Sequence, residues 1–348
     1  MSTRIAINGF GRIGRAFFKI ALGRPELAIV AINDLGDIEN LAYLLKYDTV
    51  YGRSLSAVSV KKSPEPTLVV DGKEIKVVSE ADPAKLPWKA LGVDIVVEST
   101  GLFVSYEKAK VHLAAGARRV VVTAPMKDEP SSGITGATVL MGINEEKLKT
   151  CDISSNASCT TNAGSPLLQI LHEKIGIEKA LLSTTHAYTA SQSLVDGPVK
   201  KGKESYREGR AAAQNIVPSS TGAAHATAKA LTDLEGKFDG IALRVPVLGG
   251  SIADITFLSK RDTSVEEVND ILRKAAGEDR WKKIFSVTDE PLVSSDILGQ
   301  PYASIADLSF TRVVGGNLVK VLAWYDNEMG YAYALTEHVV LSAKYLAS

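Results

Sequence analysis

Residues 153–164 read ISSNASCTTNAG and hold Cys159, one of two cysteines in the chain. A free cysteine is ordinarily a small buried hydrophobe. That reading fits Cys151, in LKTCDISSN, where nothing adjacent offers chemistry. Cys159 has different neighbours: Asn156, Ser158, Thr160, Thr161 and Asn162 are all hydrogen-bonding groups. The following SPLLQILHEKIG has a helical pattern, so Cys159 falls at a helix start, where the dipole lowers a thiol pKa. Pro166 sits inside that pattern, where it removes a backbone bond and blurs the start. A thiolate needs a base or ion-pair partner. Of the five histidines, His112, His172 and His338 lie in amphipathic helical patterns and are assigned to surfaces. His186 follows the strand pattern LLSTT and opens the polar HAYTASQ, which makes it the better partner than His225.

INGFGRIGR carries Gly9, Gly11 and Gly14 in G-x-G-x-x-G spacing. It follows a predicted strand and opens a predicted helix, the context in which glycines let a pyrophosphate approach backbone N–H groups. Asp34 ends the second predicted strand, twenty residues past Gly14. Its carboxylate suits adenosine ribose hydroxyls and repels a 2′-phosphate, so NAD is expected over NADP. A thiolate beside a nicotinamide points to aldehyde oxidation. Sulfur adds to the carbonyl, a hydride leaves to the cofactor, and a thioester remains for an acceptor to cleave. The histidine takes the hydroxyl proton as general base. The backbone N–H of Cys159 or an imidazolium steadies the oxyanion.

The elements that must position these groups fall into two styles. A chain of 348 residues exceeds one ordinary core, so two domains are expected. The first half alternates short β-rich runs (RIAING, AIVAIND, VDIVVEST, RRVVVTAP) with helical patterns, which predicts a parallel sheet with right-handed crossovers. VVDGKEIKVV departs from this and reads as an antiparallel hairpin on an Asp-Gly turn. The second half has long β-rich stretches and helices such as SVEEVNDILRKAAG. The fold class is therefore α/β: an N-terminal Rossmann-type doubly wound parallel sheet plus an α+β catalytic domain with a mixed or antiparallel sheet. Residues 1–158 form the dinucleotide domain, completed by a C-terminal helix at 326–348. Residues 159–325 form the catalytic domain. The stretch from about 190 to 215 lacks apolar periodicity and reads as a functional loop.

Apolar residues make up 45% and charged residues 23%, and 40 Lys+Arg balance 40 Asp+Glu. That balance argues against a nucleic-acid partner. Two cysteines cannot make a disulfide framework, and neither a signal peptide nor a span of ~20 apolar residues is present, so a cytoplasmic protein with no membrane partner is expected. No metal-ligand cluster stands out.

Over essentially its full length the sequence resembles the phosphorylating glyceraldehyde-3-phosphate dehydrogenases. The matching stretches are INGFGRIGR, AIND, LLKYD, ESTG, SNASCTTN, THAYTASQ, VDGP, REGRAAAQNIVPSSTGAA, ALRVP and WYDNEMGY. The resemblance implies that Cys159 is acylated and that His186 is its partner. It implies that Arg12 and Ile13 line the pyrophosphate site and Asp34 holds the ribose. Thr100, Gly101 and Thr123 would contact the cofactor, Asn327 would hold the nicotinamide carboxamide, and Tyr331 would lie beside the ring. Thr189 and Arg244 would take the substrate phosphate. Ser158, Thr160, Thr221 and Gly222 would take attacking inorganic phosphate. Hydroxyls, backbone N–H groups and an arginine fork are good phosphate ligands. The alternative for Arg244 is a structural ion pair. The resemblance also implies a homotetramer in which the 190–215 loop reaches a neighbour's cofactor, and Leu35 with Pro198 is similar to the NAD-selective members.

Three positions depart from the family pattern. Ala163 stands where a second cysteine is common, Ala81 where a basic residue is common, and His225 where a lysine is common. Competing readings are an erythrose-4-phosphate dehydrogenase of the same superfamily, whose thioester goes to water, a cysteine acyl-hydrolase, and a non-enzymatic NAD-binding interaction protein. Against the first, VDGP and the PSSTGAA phosphate loop favour the phosphorylating reading. The second does not need GFGRIG with Asp34. The third does not need Cys159, His186 and Arg244 together.

Overall fold

The glycine turn sits where a strand hands over to a helix: β1 (Thr3–Asn8) ends just before Gly9, and α1 (Arg12–Ala21) begins just after Gly11. The computed structural model describes residues 2–199 and 205–347. After α1 come β2 (Leu27–Asn33), α2 (Ile38–Lys46), a two-residue pair β3 (Tyr47–Asp48) and β4 (Gly52–Arg53), β5 (Val58–Lys61), β6 (Thr67–Val70) and β7 (Lys73–Val78). β8 (Ile95–Glu98), the single turns α3 (Tyr106–Ala109) and α4 (Val111–Ala114), β9 (Arg119–Val122), β10 (Gly136–Thr138) and β11 (Ile153–Ser155) follow.

Nine of these strands form one sheet in the order β10-β11-β9-β8-β1-β2-β7-β6-β5. Every pair from β10 to β7 is parallel. The middle strands are apolar on both faces because helices cover both, and every residue of β8 and β9 is buried. The expected hairpin is β6–β7, antiparallel, with β5 added beyond it. Its turn residues Asp71 and Gly72 have φ of 49° and 79°, the positive pair that a type I′ turn requires.

The second part begins with α5 (Cys159–Ile175) and β12 (Ile177–Ala187). It continues with β13 (Val217–Ser220), α6 (Ala223–Ala230), β14 (Phe238–Val245), β15 (Ser251–Ser259), α7 (Val265–Ala276), β16 (Phe285–Thr288), β17 (Ser304–Val314), β18 (Leu318–Tyr325) and α8 (Met329–Ala347). Its sheet, ordered β13-β14-β12-β15-β18-β17-β16, is mixed. β12–β14 and β16–β17 pair parallel, and the other neighbours antiparallel. α5 continues through Pro166, which has no N–H to give to the Asn162 carbonyl. Of the 190–215 segment, residues 200–204 lie outside the described residues. The remainder is held by an Arg210–Asp196 ion pair at 2.7 Å and by the Gly197 N–H on the Gly209 carbonyl.

The chain divides into two compact units, Met1–Ala157 with Leu335–Ser348, and Ser158–Ala334. The division falls within α8, which starts at Met329 rather than at 326.

Two histidines assigned to surfaces are core residues. His112 and His338 are both fully buried. The Trp88 indole N–H donates to His112 Nδ1 at 3.2 Å, and His112 Nε2 lies 3.0 Å from Glu98 Oε2. His338 Nε2 lies 2.7 Å from the Ser154 hydroxyl, and its Nδ1 is 3.2 Å from Asn156 Oδ1. The periodicity misleads at His338 because α8 is buried over more than one face, with Leu335, Thr336, Val339, Ser342 and Ala343 all inside. His172 keeps partial exposure and faces Asp233 at 3.5 Å.

Burial pushes the His338 imidazole down to about 3 from an ordinary 6.5. Its neutral form therefore stabilises the fold fully above pH 6.5, and that stability is lost as pH falls toward 3. One such histidine steepens the acid loss by about 1.4 kcal/mol per pH unit. Urea midpoints measured from pH 7 to 5 are expected to fall, and less steeply in His338→Gln. An identical slope in the variant would contradict neutral burial.

Candidate active site

Ser158 caps α5, its hydroxyl oxygen accepting from the Thr161 N–H at 3.1 Å, so Cys159 is the first helical residue. Just before it, Ala157 takes a left-handed φ of 53°, with its N–H held by the Ser155 hydroxyl at 3.0 Å. His186 is the penultimate residue of β12, and the parallel register sets it beside Arg244 of β14. Cys159 Sγ lies 3.3 Å from His186 Nε2. On the far side of the ring, Nδ1 lies 2.6 Å from the Ala187 carbonyl oxygen and 2.6 Å from Arg244 Nη1. The guanidinium only donates and the carbonyl only accepts, so one Nδ1 satisfies one of them at a time. Moving the ring proton between the nitrogens exchanges which bond is made.

Burial and then the Arg244 charge push the His186 imidazole down to about 3, against the Ala187 carbonyl. Burial pushes the Cys159 thiol up, opposed by Arg244, the Thr160 hydroxyl and the first N–H groups of the helix. The helix start alone was expected to yield a lowered thiol pKa, and burial outweighs it. Both shifts favour the uncharged forms, a thiol and a neutral imidazole. Arg244 makes no ion pair with a carboxylate among the described residues, so the structural ion-pair alternative finds no partner.

Of the other predicted residues of this unit, Thr160, Thr189 and Asn327 lie at the His186 end of the sheet, whereas Thr221 and Gly222 follow β13 at its end away from Arg244. Thr189 follows β12, its hydroxyl 3.0 Å from that of Ser191. Thr160 is buried, its hydroxyl 2.9 Å from the Tyr325 phenol oxygen. Thr221 accepts from the Ala223 N–H at 3.2 Å, and the exposed Gly222 caps α6. A Ser165–Thr227 hydroxyl contact at 2.9 Å ties α6 to α5. Asn327 follows β18 and is buried, its Oδ1 accepting from the Ser251 hydroxyl at 3.0 Å. That hydroxyl also accepts from the Ala187 N–H at 3.1 Å. Tyr331 is buried. Ser251 and Tyr325 were not foreseen. Their roles depend on cross-strand contacts, and only the WYDNE motif, which contains Tyr325, hinted at one of them. Ala163 is buried in α5. The side chain of His225 lies outside the described residues.

In the first unit, a cleft of about 330 Å³ opens over the glycine turn. Gly9, Gly11, Asp34, Ala81 and Thr100 line it, with Asn8 and Glu80. Gly9 has φ of 93°, and a side chain there would strike the Thr100 N–H at 2.7 Å. A Cβ on Gly14 would lie 2.1 Å from the Gly9 carbonyl oxygen. A Cβ on Gly11 would meet nothing within 4 Å, the open approach that a pyrophosphate needs. Asp34 is held by the Phe10 N–H at 2.7 Å and the Gly36 N–H at 2.8 Å. The cradle therefore fits a dinucleotide. Arg12 is paired with Asp48 at 2.8 Å, so toward an anion it offers its N–H rather than its guanidinium. Ile13 is half-buried, Thr123 follows β9, and Gly101 is exposed with φ of 72°. Sequence reasoning missed a polar ladder beneath the cleft. Glu98 accepts from Asn8 Nδ2 and from the Thr100 N–H, and Asn33 donates to Asn8 Oδ1.

Among the described residues, no group of His, Cys, Asp and Glu could hold a metal, and no helix is long and apolar enough to cross a membrane.

A glycine-turn cleft of Rossmann type and a second unit bearing a cysteine–histidine pair define an NAD-dependent oxidoreductase. Two family models match the chain: the glyceraldehyde 3-phosphate dehydrogenase NAD binding domain over residues 3–106, and the C-terminal domain of the same enzymes over 158–327. Glyceraldehyde-3-phosphate dehydrogenase of Thermotoga maritima is 49% identical, over 98% of this chain and 99% of that one. Those of Streptomyces coelicolor and Geobacillus stearothermophilus are 47% and 46% identical over 98% or more of each chain. The chain belongs to the glyceraldehyde-3-phosphate dehydrogenase family.

Gly14 and Gly11 predict different losses. Gly14→Ala should lower the melting temperature, because the Gly9 carbonyl cannot move away freely. Gly11→Ala should melt as the wild type yet bind NAD more weakly by roughly tenfold, about 1.4 kcal/mol. Scanning calorimetry and NAD titration separate the two. Unchanged affinity in folded Gly11→Ala would remove Gly11 from the cofactor cradle.

Proposed function

We propose that the protein catalyses the reversible phosphorylating oxidation of D-glyceraldehyde 3-phosphate to 1,3-bisphosphoglycerate with NAD and inorganic phosphate, a step of glycolysis and gluconeogenesis. The observation that carries this reading is the contact of Cys159 Sγ with His186 Nε2 at 3.3 Å, with Arg244 against the same ring.

In the tautomer whose Nδ1–H donates to the Ala187 carbonyl, Nε2 is free to take the Cys159 proton. The sulfur adds to the aldehyde carbon, and the imidazolium returns its proton to the new alkoxide, giving a thiohemiacetal. The Cys159 N–H at the start of α5 supports the oxygen as charge develops. His186 then removes the hydroxyl proton as the hydride departs, which leaves a thioester on Cys159. NAD, when bound, accepts that hydride. Phosphate attacks the thioester carbonyl, and Cys159 leaves as the thiolate and is reprotonated.

Arg244 and Thr189 hold the substrate phosphate in this reading. Ser158, the Thr160 N–H, Thr221 and Gly222 hold the attacking phosphate. Gly9, Gly11, Arg12, Ile13, Gly14, Asp34, Thr100, Gly101 and Thr123 hold the dinucleotide, with Asn327 and Tyr331 at the nicotinamide. Residues 1–158 with the C-terminal helix serve as the NAD domain and 159–325 as the catalytic domain. A cytoplasmic homotetramer is the working form.

NADH formation from NAD and glyceraldehyde 3-phosphate should depend strongly on added phosphate. Equal rates without phosphate would mean that water takes the acyl group, as in erythrose-4-phosphate dehydrogenases. Cys159→Ser should abolish acylation, and His186→Asn should slow acylation and hydride transfer by about 10²–10⁴-fold. An active Cys159→Ser protein would sink the mechanism. Asp34→Gly should relax discrimination against NADP, and unchanged selectivity would place that discrimination elsewhere.

A further inference from the structure

Glu98 and His112 are buried, and the chemistry proposed above uses neither. Neither lines the dinucleotide cleft, but Asn8, Asn33, Glu80, Thr100 and Phe103 do. A buried carboxylate and imidazole are costly unless their polar atoms are satisfied. Here one line of hydrogen bonds joins them. The Trp88 indole N–H donates to His112 Nδ1 at 3.2 Å, and His112 Nε2 lies 3.0 Å from Glu98 Oε2. The same oxygen accepts from Asn8 Nδ2 at 2.5 Å. Glu98 Oε1 accepts from the Thr100 N–H at 2.8 Å and from the Thr100 hydroxyl. Asn33 Nδ2 donates to Asn8 Oδ1 at 2.7 Å, and Asn33 Oδ1 accepts from the Glu80 N–H at 2.9 Å.

The chemistry of the two end groups fixes the protons between them. An indole N–H can only donate, so His112 Nδ1 accepts and its Nε2 carries the proton given to Glu98. A carboxylate can only accept, so Asn8 turns its NH2 to Glu98 and its oxygen to Asn33. Asn33 continues in the same sense, its NH2 also reaching the Glu80 carbonyl at 3.0 Å. Glu98 thereby holds two walls of the cleft. On one side it pins the Thr100 turn, whose hydroxyl accepts in turn from the Leu102 N–H at 3.1 Å. On the other, through two amides, it pins the Glu80 backbone. His112 backs a third lining group directly, its ring edge-on to Phe103 with centroids 5.6 Å apart.

We propose that His112 and Glu98 are positioning residues for the cofactor: His112 fixes the Glu98 carboxylate, and Glu98 holds the Thr100 and Glu80 walls at the spacing that admits the adenosine half of NAD. Asp34 lines the same cleft, and a carboxylate there suits the adenosine ribose. Neither positioning residue takes part in the reaction itself. The proposal rests on NAD filling this cleft, but not on the identity of substrate or acceptor.

The test is calorimetric titration with NAD and with ADP-ribose, which lacks the nicotinamide. His112→Leu removes the donor to Glu98, whereas His112→Gln offers an amide N–H in place of the ring Nε2–H. His112→Leu should bind both ligands about tenfold more weakly, the scale of one lost hydrogen bond to a charged group. His112→Gln should restore both to within about threefold of the wild type. Glu98→Gln sets an NH2 against groups that already donate, and should lose about tenfold as well. Hydrogen exchange, read by mass spectrometry in peptides spanning Glu80 and Thr100, should quicken in His112→Leu and not in His112→Gln. Folding is checked by melting temperature, and if His112→Leu does not fold, Glu98→Gln decides alone. Wild-type affinities in folded His112→Leu or Glu98→Gln overturn the proposal, as does a His112→Gln protein that binds as weakly as His112→Leu. Phosphate-dependent NADH formation by the wild type is a separate measurement, so the two readings fail independently.

Discussion

The second unit depends on the parallel pairing of β12 with β14 more than on any other contact. That register sets His186 directly beside Arg244. A buried imidazole flanked by a guanidinium is disfavoured as a cation, so it waits as a neutral base. A slip of one residue would turn His186 to the other face of the sheet and leave the sulfur at the head of α5 without a partner. The antiparallel neighbour β15 secures the same strand from the other side, through Thr184 on Ile252 and Ala187 on Ser251. The chemistry is thus fixed by strand pairing, and the cysteine is brought to it by the capped start of one helix.

The first unit solves a different problem, close approach rather than proton placement. Two glycines there serve the protein and one serves the ligand. Gly9 and Gly14 let β1, α1 and the Ser99–Thr100 backbone crowd together, whereas Gly11 faces open space. The ladder through Glu98, Asn8 and Asn33 ties the ends of three neighbouring strands below that opening. The carboxylate of Glu98 is buried, and donors on several sides satisfy it.

The parts legible from sequence were those whose signal is local. The glycine turn, the Asp-Gly hairpin and the capped cysteine each carry spacing, turn chemistry and polarity within about ten residues. His186 was reached by elimination among five histidines, a count small enough to allow it. The misread residues have signals that arise only in three dimensions. His338 is buried because Ser154 and Asn156, far away in sequence, satisfy its ring. His112 is buried because Trp88 and Glu98 do the same. The helical pattern records which side is apolar, and is blind to a polar side chain whose partners are also inside. The thiol was misread for a related reason. A helix start is visible in sequence, but the desolvation that outweighs it is not.

That α5 holds a single cysteine also bears on how the protein meets oxidation. One helical turn on from Cys159 stands buried Ala163, which offers no second sulfur to capture a sulfenic acid. Once oxidised, Cys159 would have no neighbour in its own helix to rescue it.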